Sequence, residues 1–120
     1  MRVAVAVLSL GIALSAALPA YADYGAIAWD EKGGHAGWSI REPTPERASQ
    51  AALSKCGASD CKVVKPISSK SCGAFAAVEG GKYVGAATRP SEDGARVAAL
   101  AACRKQDKGN CVVKFSGCNK

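Results

Sequence analysis

One run of six residues gathers acid, base and imidazole groups: Asp30-Glu31-Lys32-Gly33-Gly34-His35, which holds the only histidine of the chain. A carboxylate beside an imidazole can serve as general acid and base in hydrolysis, provided a pocket brings substrate within hydrogen-bond reach. The same run also has the composition of a solvated turn, and its counterpart Glu79-Gly80-Gly81-Lys82 lacks a histidine. No catalytic residue is therefore assigned. A small secreted hydrolase or wall-active enzyme using His35 with Asp30 or Glu31 stands as the alternative to a binding protein.

Trp29 and Trp38 flank this run, while the matching positions further along are Ala77 and Ala86. Trp29 shares a strand face with Ile27 and reads as core, whereas Trp38 is the indole from which a stacking surface would emerge. Lysines recur at Lys62, Lys65 and Lys70, with Arg104, Lys105, Lys108 and Lys114 in the second half. Such a strip could hold an anionic polymer, although lysines also blunt exposed sheet edges and cations complement helix C-termini. Trp38, His35, Lys62, Lys65 and Lys114 form the candidate binding surface. Ser39, Ser68, Ser69, Ser71 and Ser116 lie in no Gly-x-Ser-x-Gly elbow, and no Cys-x-x-Cys redox pair is present. The sole histidine is remote from any cysteine pair, so neither a metal site nor a cofactor is expected.

The elements that position these groups come in two copies. Gly25-Ala26-Ile27-Ala28 returns as Gly73-Ala74-Phe75-Ala76, and Ala51-Ala52-Leu53-Ser54-Lys55-Cys56 as Ala98-Ala99-Leu100-Ala101-Ala102-Cys103. Cys61-Lys62-Val63-Val64-Lys65 resembles Cys111-Val112-Val113-Lys114. Each copy, 24–72 and 73–118, reads strand, hairpin, strand, helix, strand, and two copies are too few for a solenoid, so they are expected to share one core in an α+β domain. Strands over 24–29 and 73–78 should bury Gly25, Ile27 and Trp29, and Gly73, Phe75 and Ala77, on one face. Gly33-Gly34 and Gly80-Gly81 supply the hairpin tips. Thr44 with Pro45, and Ser91, mark helix starts. Ala48, Ala51, Ala52 and Cys56, and then Ala95, Ala98, Ala99 and Cys103, line narrow helix faces that permit close approach to a sheet.

The first 22 residues have the grammar of a secretory leader: Arg2, an apolar run over 3–18, then Pro19-Ala20-Tyr21-Ala22 before the expected cut. The apolar run is too short for a spanning helix of roughly 20 residues, so a secreted or periplasmic chain without a transmembrane segment is expected after cleavage. Six cysteines follow the leader, an even number that in an exported domain implies disulfides. A net charge of +6 favours anionic partners, either an envelope protein or an anionic polymer; the excess is too scattered for nucleic acid. Oligomeric state is not encoded in any pattern here.

Six cysteines allow about fifteen pairings. The duplication suggests Cys56–Cys61 and Cys103–Cys111 as matching local bridges, leaving Cys72 with Cys118 to tie the copies together. Gly25-Ala26-Ile27-Ala28-Trp29, the helix end Ala51-Ala52-Leu53-x-x-Cys56, Asp60-Cys61-Lys62-Val63-Val64 and Cys72-Gly73-Ala74-Phe75-Ala76 together resemble the bacterial secreted family catalogued as domain of unknown function 4189. The resemblance covers nearly the whole chain after the leader and implies an exported, cysteine-bridged domain with no assigned catalytic residues. Pro66-Ile67-Ser68-Ser69-Lys70-Ser71 departs from the family pattern, which has an aromatic and an asparagine ahead of the third cysteine. An exported binding module of the envelope or extracellular space is the leading expectation, with a purely structural secreted protein as a third class.

Overall fold

The computed structural model describes residues 23–79, 83–106 and 109–119. The leader over 1–22, the Gly80-Gly81 tip and Lys108 lie outside the described residues. Eight elements follow in order: β1 (Tyr24–Trp29), β2 (Ala36–Glu42), α1 (Pro45–Cys56), β3 (Lys62–Ile67), β4 (Cys72–Val78), β5 (Val84–Arg89), α2 (Glu92–Gln106) and β6 (Cys111–Cys118). They build two antiparallel sheets of three strands, ordered β2-β1-β3 and β5-β4-β6, so each half repeats the same local topology around its own first strand.

Local signals fix the helices. Thr44 accepts a hydrogen bond from the Arg47 N–H at 3.0 Å and Pro45 follows at the first position, where its missing donor costs nothing. Ser91 does the same for the Gly94 N–H at 3.0 Å. Gly57 ends α1 in the left-handed region at φ 77°, and its N–H returns to the Leu53 carbonyl, a closure that residues with a Cβ adopt at a cost.

Apolar side chains gather in three clusters. Ala26, Ala28, Ala48, Ala52 and Cys56 join the first sheet to α1, and Ala74, Ala76, Ala95, Ala99 and Cys103 join the second sheet to α2. Between the sheets lie Ile27, Ile67 and Phe75, flanked by Trp29, Trp38, Ile40 and Phe115. The order through the molecule is thus helix, sheet, sheet, helix. This corrects the expectation of a half-buried strand facing a single core: β1 buries four consecutive residues, Gly25 to Ala28, because one face meets a helix and the other meets the second sheet. Alanine and glycine make the helix contacts short. A Cβ on Gly37 would stand 2.3 Å from the Ala52 carbonyl oxygen, and one on Gly85 would stand 2.3 Å from that of Ala99.

Ladder register shows which residues oppose which. On the inner faces, Ile27 is flanked by Trp38 and Lys65 in the first sheet, and Phe75 by Ala86 and Phe115 in the second. The next row reads Ala36, Trp29, Lys62 against Val84, Ala77, Val112. Lys65 therefore corresponds to Phe115 and not, as the sequence match suggests, to Lys114. Both outer ladders carry a bulge at the same place, at Val64 in β3 and Lys114 in β6, so the two strands match residue for residue from Cys61 and Cys111 and the counterpart of Lys114 is Val64.

Three bridges form, Cys56–Cys61, Cys103–Cys111 and Cys72–Cys118. The pairing is the one the duplication suggested, but the third bridge has a different task. Cys72 and Cys118 face each other on β4 and β6, so they clasp the second sheet rather than tie the two halves. The polar tie comes one residue later. Asn119 is fully buried; its Oδ1 accepts from the Arg41 N–H at 2.8 Å, and its Nδ2 donates to the Ile67 and Ser68 carbonyls at 3.1 Å each. Its N–H donates to the Ser71 carbonyl at 2.9 Å. A buried amide with both side-chain N–H groups and its oxygen bonded links β2 and the β3–β4 turn to the end of β6.

Candidate functional site

Where Trp29 and Trp38 face Ala77 and Val84, the two sheets do not close on each other. The result is a cleft of about 760 Å³ at the end of the sandwich where β1 leads into the first hairpin and β4 ends. Its walls are the two indoles, Ala36, Phe75, Ala77 and Val84, and its rim carries Glu31, Lys32, Glu79 and Lys114. Trp38 is held by stacking on Phe115, ring centres 4.9 Å apart and planes 21° apart, and both indoles remain half-buried. Lys114 donates to both carboxylate oxygens of Glu79 at 2.7 and 2.8 Å, an exposed pair that fixes a side chain rather than adding much stability. Ala77, at the place where the first half has Trp29, leaves this space unfilled, and that Trp/Ala asymmetry was the sequence signal for it.

The carboxylate–imidazole pair stands apart from that cleft. Asp30 is buried and accepts from the Lys32 N–H at 3.0 Å, while His35 Nδ1 lies 3.2 Å from its other oxygen. Burial presses the Asp30 carboxyl upward, but the Gly33 N–H, the His35 ring and the Lys32 N–H outweigh it and hold the group below its ordinary value of 3.8. Asp30 is thus an ionised staple of its own turn, in which Gly34 takes φ 76° and the Asp30 N–H donates to the His35 carbonyl at 2.8 Å. His35 is exposed and is absent from the cleft lining, whereas Glu31 is on the rim.

The remaining candidates scatter. Lys114 joins Trp38 at the cleft; Lys62 borders a smaller depression with Asp30 and Asp60; Lys65 lies in a different groove beside α2. Ser39 is buried and donates to the Ala48 carbonyl at 2.7 Å, fixing β2 to α1. Ser116 donates to Glu92 at 2.6 Å, and Arg96 closes that network. Phe75, Val84 and Glu79, which complete the cleft, carry no chemical signature in the sequence and become visible only when the sheets are stacked. Among the described residues no cluster of three or more metal-ligating side chains occurs, and no helix is long and apolar enough to cross a membrane.

Fold and site together define a small disulfide-stapled scaffold whose two sheets part at one end around a tryptophan-lined recess. The chain belongs to the family described as Domain of unknown function (DUF4189), whose model matches residues 24–118. It is similar to the uncharacterized protein Rv1813c of Mycobacterium tuberculosis and to the uncharacterized protein Mb1843c of Mycobacterium bovis, each 42% identical over 81 residues and 65% of this chain. The chain spans about half, 54%, of the length of these curated relatives. The NMR structure of Rv1813c superposes with a TM-score of 0.57 at 31% identity, covering 86% of this chain and 80% of that one.

Proposed function

We propose that the protein is an exported binding module of the cell envelope or extracellular space, and that its cleft takes a small amphipathic ligand with a flat apolar face. The observation that carries the reading is the recess of about 760 Å³. That size falls in the usual range of ligand pockets, and an apolar lining with a few polar groups at the mouth is their usual chemistry. Two indoles offer flat surface at little entropic cost, and Glu31, Lys32 and the Lys114–Glu79 pair offer orienting contacts. Export is supported by the leader pattern over 1–22 and by three bridges, which persist in oxidising compartments. The matched element order and ladders of the two halves support an origin by duplication.

The test uses anilinonaphthalene sulfonate, a flat amphipathic fluorophore, titrated into purified protein and into an Ala77→Trp variant that puts an indole back into the recess. Saturable binding that weakens by about tenfold or more in the variant, with melting still cooperative, is the expected outcome. Equal affinity in both proteins removes the cleft from the account. A parallel assay with a generic ester substrate decides against the binding reading if turnover appears and vanishes in His35→Ala.

A further inference from the structure

At the opposite edge of the sandwich a second groove, about 290 Å³, runs between β5 and α2 beside Lys65 of β3. Its charged lining is Lys65, Arg89 and Lys105, contributed by three different elements, and among the described residues no acidic one lines it. Its floor is made of alanines, including Ala86, Ala98 and Ala102, which bring no polar group to compete with a guest. Neither Lys65 nor Lys105 forms an ion pair among the described residues, and Arg89 uses one guanidinium nitrogen on the Thr88 carbonyl at 2.7 Å. Lys65 is placed here by register: it flanks Ile27 on an inner-face row whose end in the second sheet is Phe115. An inward lysine on an edge strand also discourages strand addition, but that accounts for Lys65 alone and leaves the convergence of Arg89 and Lys105 without a reason.

We propose that this groove binds a phosphate group. Three cations with no counter-charge among the described lining residues match a ligand bearing two or more negative charges, which a single carboxylate does not supply. A guanidinium fork donates paired hydrogen bonds to a phosphate, while two lysines act as mobile point charges around it. The site is distinct from the tryptophan-lined cleft and does not depend on what that cleft holds.

Two sources of the same chemistry are separated by two probes, tripolyphosphate and vesicles of phosphatidylglycerol, with phosphatidylcholine vesicles as the neutral control. Amide chemical shifts followed through a tripolyphosphate titration in physiological salt are expected to move over Val84–Arg89 and the C-terminal half of α2. Lys65→Gln and Arg89→Lys are expected to weaken binding of whichever probe binds by about tenfold, the value of one charge-assisted contact. Lys62→Gln, which removes the same charge outside the groove, is expected to leave it unchanged. Binding of tripolyphosphate identifies a soluble phosphate as a sufficient ligand; binding of anionic vesicles alone identifies a lipid headgroup. No saturable binding of either probe overturns the proposal, and so does a loss in Lys62→Gln equal to that in Lys65→Gln, since net charge would then explain everything. Melting curves of each variant show that the scaffold is intact.

Discussion

At the edge where β2 lies over β6, an indole stacks on a phenyl ring; at the other edge, where β5 lies over β3, the equivalent pair is Ala86 and Lys65. The same contrast recurs one row along, where Trp29 has Ala77 as its counterpart. On the helix side the halves hardly differ: Ala26 and Ala74, Ala28 and Ala76, Gly37 and Gly85 hold equal places under α1 and α2. The difference follows from distance. A helix lying close on a sheet leaves room only for the smallest side chains, so those positions admit almost no variation. Two sheets facing each other are separated by full side chains, and large-for-small exchange there leaves a recess instead of a clash. The tryptophan-lined cleft lies on that tolerant surface, and the phosphate groove opens where its edge at Ala86 and Lys65 meets α2.

The covalent rungs offer the largest test of this likeness between halves. Cys56–Cys61 and Cys103–Cys111 occupy matching places, with sequence separations of 5 and 8, whereas Cys72–Cys118 spans 46 and has no partner in the first sheet. By loop entropy, replacing Cys72 and Cys118 with alanine should cost about 4 kcal/mol, and replacing either local pair about 2 to 2.5 kcal/mol. Chemical denaturation of the three double variants measures this. A Cys72–Cys118 effect no larger than the local ones would mean that Asn119, one residue beyond, already holds β6 in place without the bridge.

The next effect in size tests the helix side directly. Gly37→Ala and Gly85→Ala each drive a methyl group into helix backbone 2.3 Å away, with no side chain able to yield. A loss of about 3 kcal/mol in each is expected, similar in the two halves, because overpacking against backbone cannot relax by rotamer change. Denaturation midpoints that differ widely between the variants would show that one helix can shift and the other cannot, and would break the equivalence on which the comparison rests.

How far these features can be read without coordinates follows the same division. Helix starts at Thr44 and Ser91, the hairpin at Gly34 and the cysteine pairing are local or repeat-encoded, and the sequence carried them. What it did not carry depends on two sheets being stacked. One-face alternation hides the fact that β1 and β4 are covered on both sides, since alanine on the helix side looks like a polar-neutral filler. The bulges in β3 and β6 stand at the same place, so the strands match without a gap, Lys114 is the counterpart of Val64 and not of Lys65, and the supposed basic strip dissolves. Asn119 gives no signal at all, because an asparagine near a chain end reads as solvent-exposed until its four partners are placed around it.

The smallest effect concerns the two hairpins. In the first, a buried carboxylate fills the position that Val78 occupies in the second, and the backbone closure is otherwise alike: the Asp30 N–H meets the His35 carbonyl at 2.8 Å and the Val78 N–H meets the Tyr83 carbonyl at 3.0 Å. The first turn is therefore held in part by charge where the second has an apolar side chain at the matching place, and acid should tell them apart. Asp30 is held below 3.8 in the folded chain, so its ionised form is the one the fold favours. The stabilisation is present above the ordinary carboxylate value and is lost as pH falls through the lower folded value. Asp30→Asn keeps the shape and removes the charge. Its melting temperature should lie below that of the unaltered protein near neutrality, with the gap closing as the pH drops beneath 3.8. A gap that stays constant down to strong acid would mean the turn is held by hydrogen-bond geometry alone, and the two hairpins would then differ in composition but not in the force that closes them.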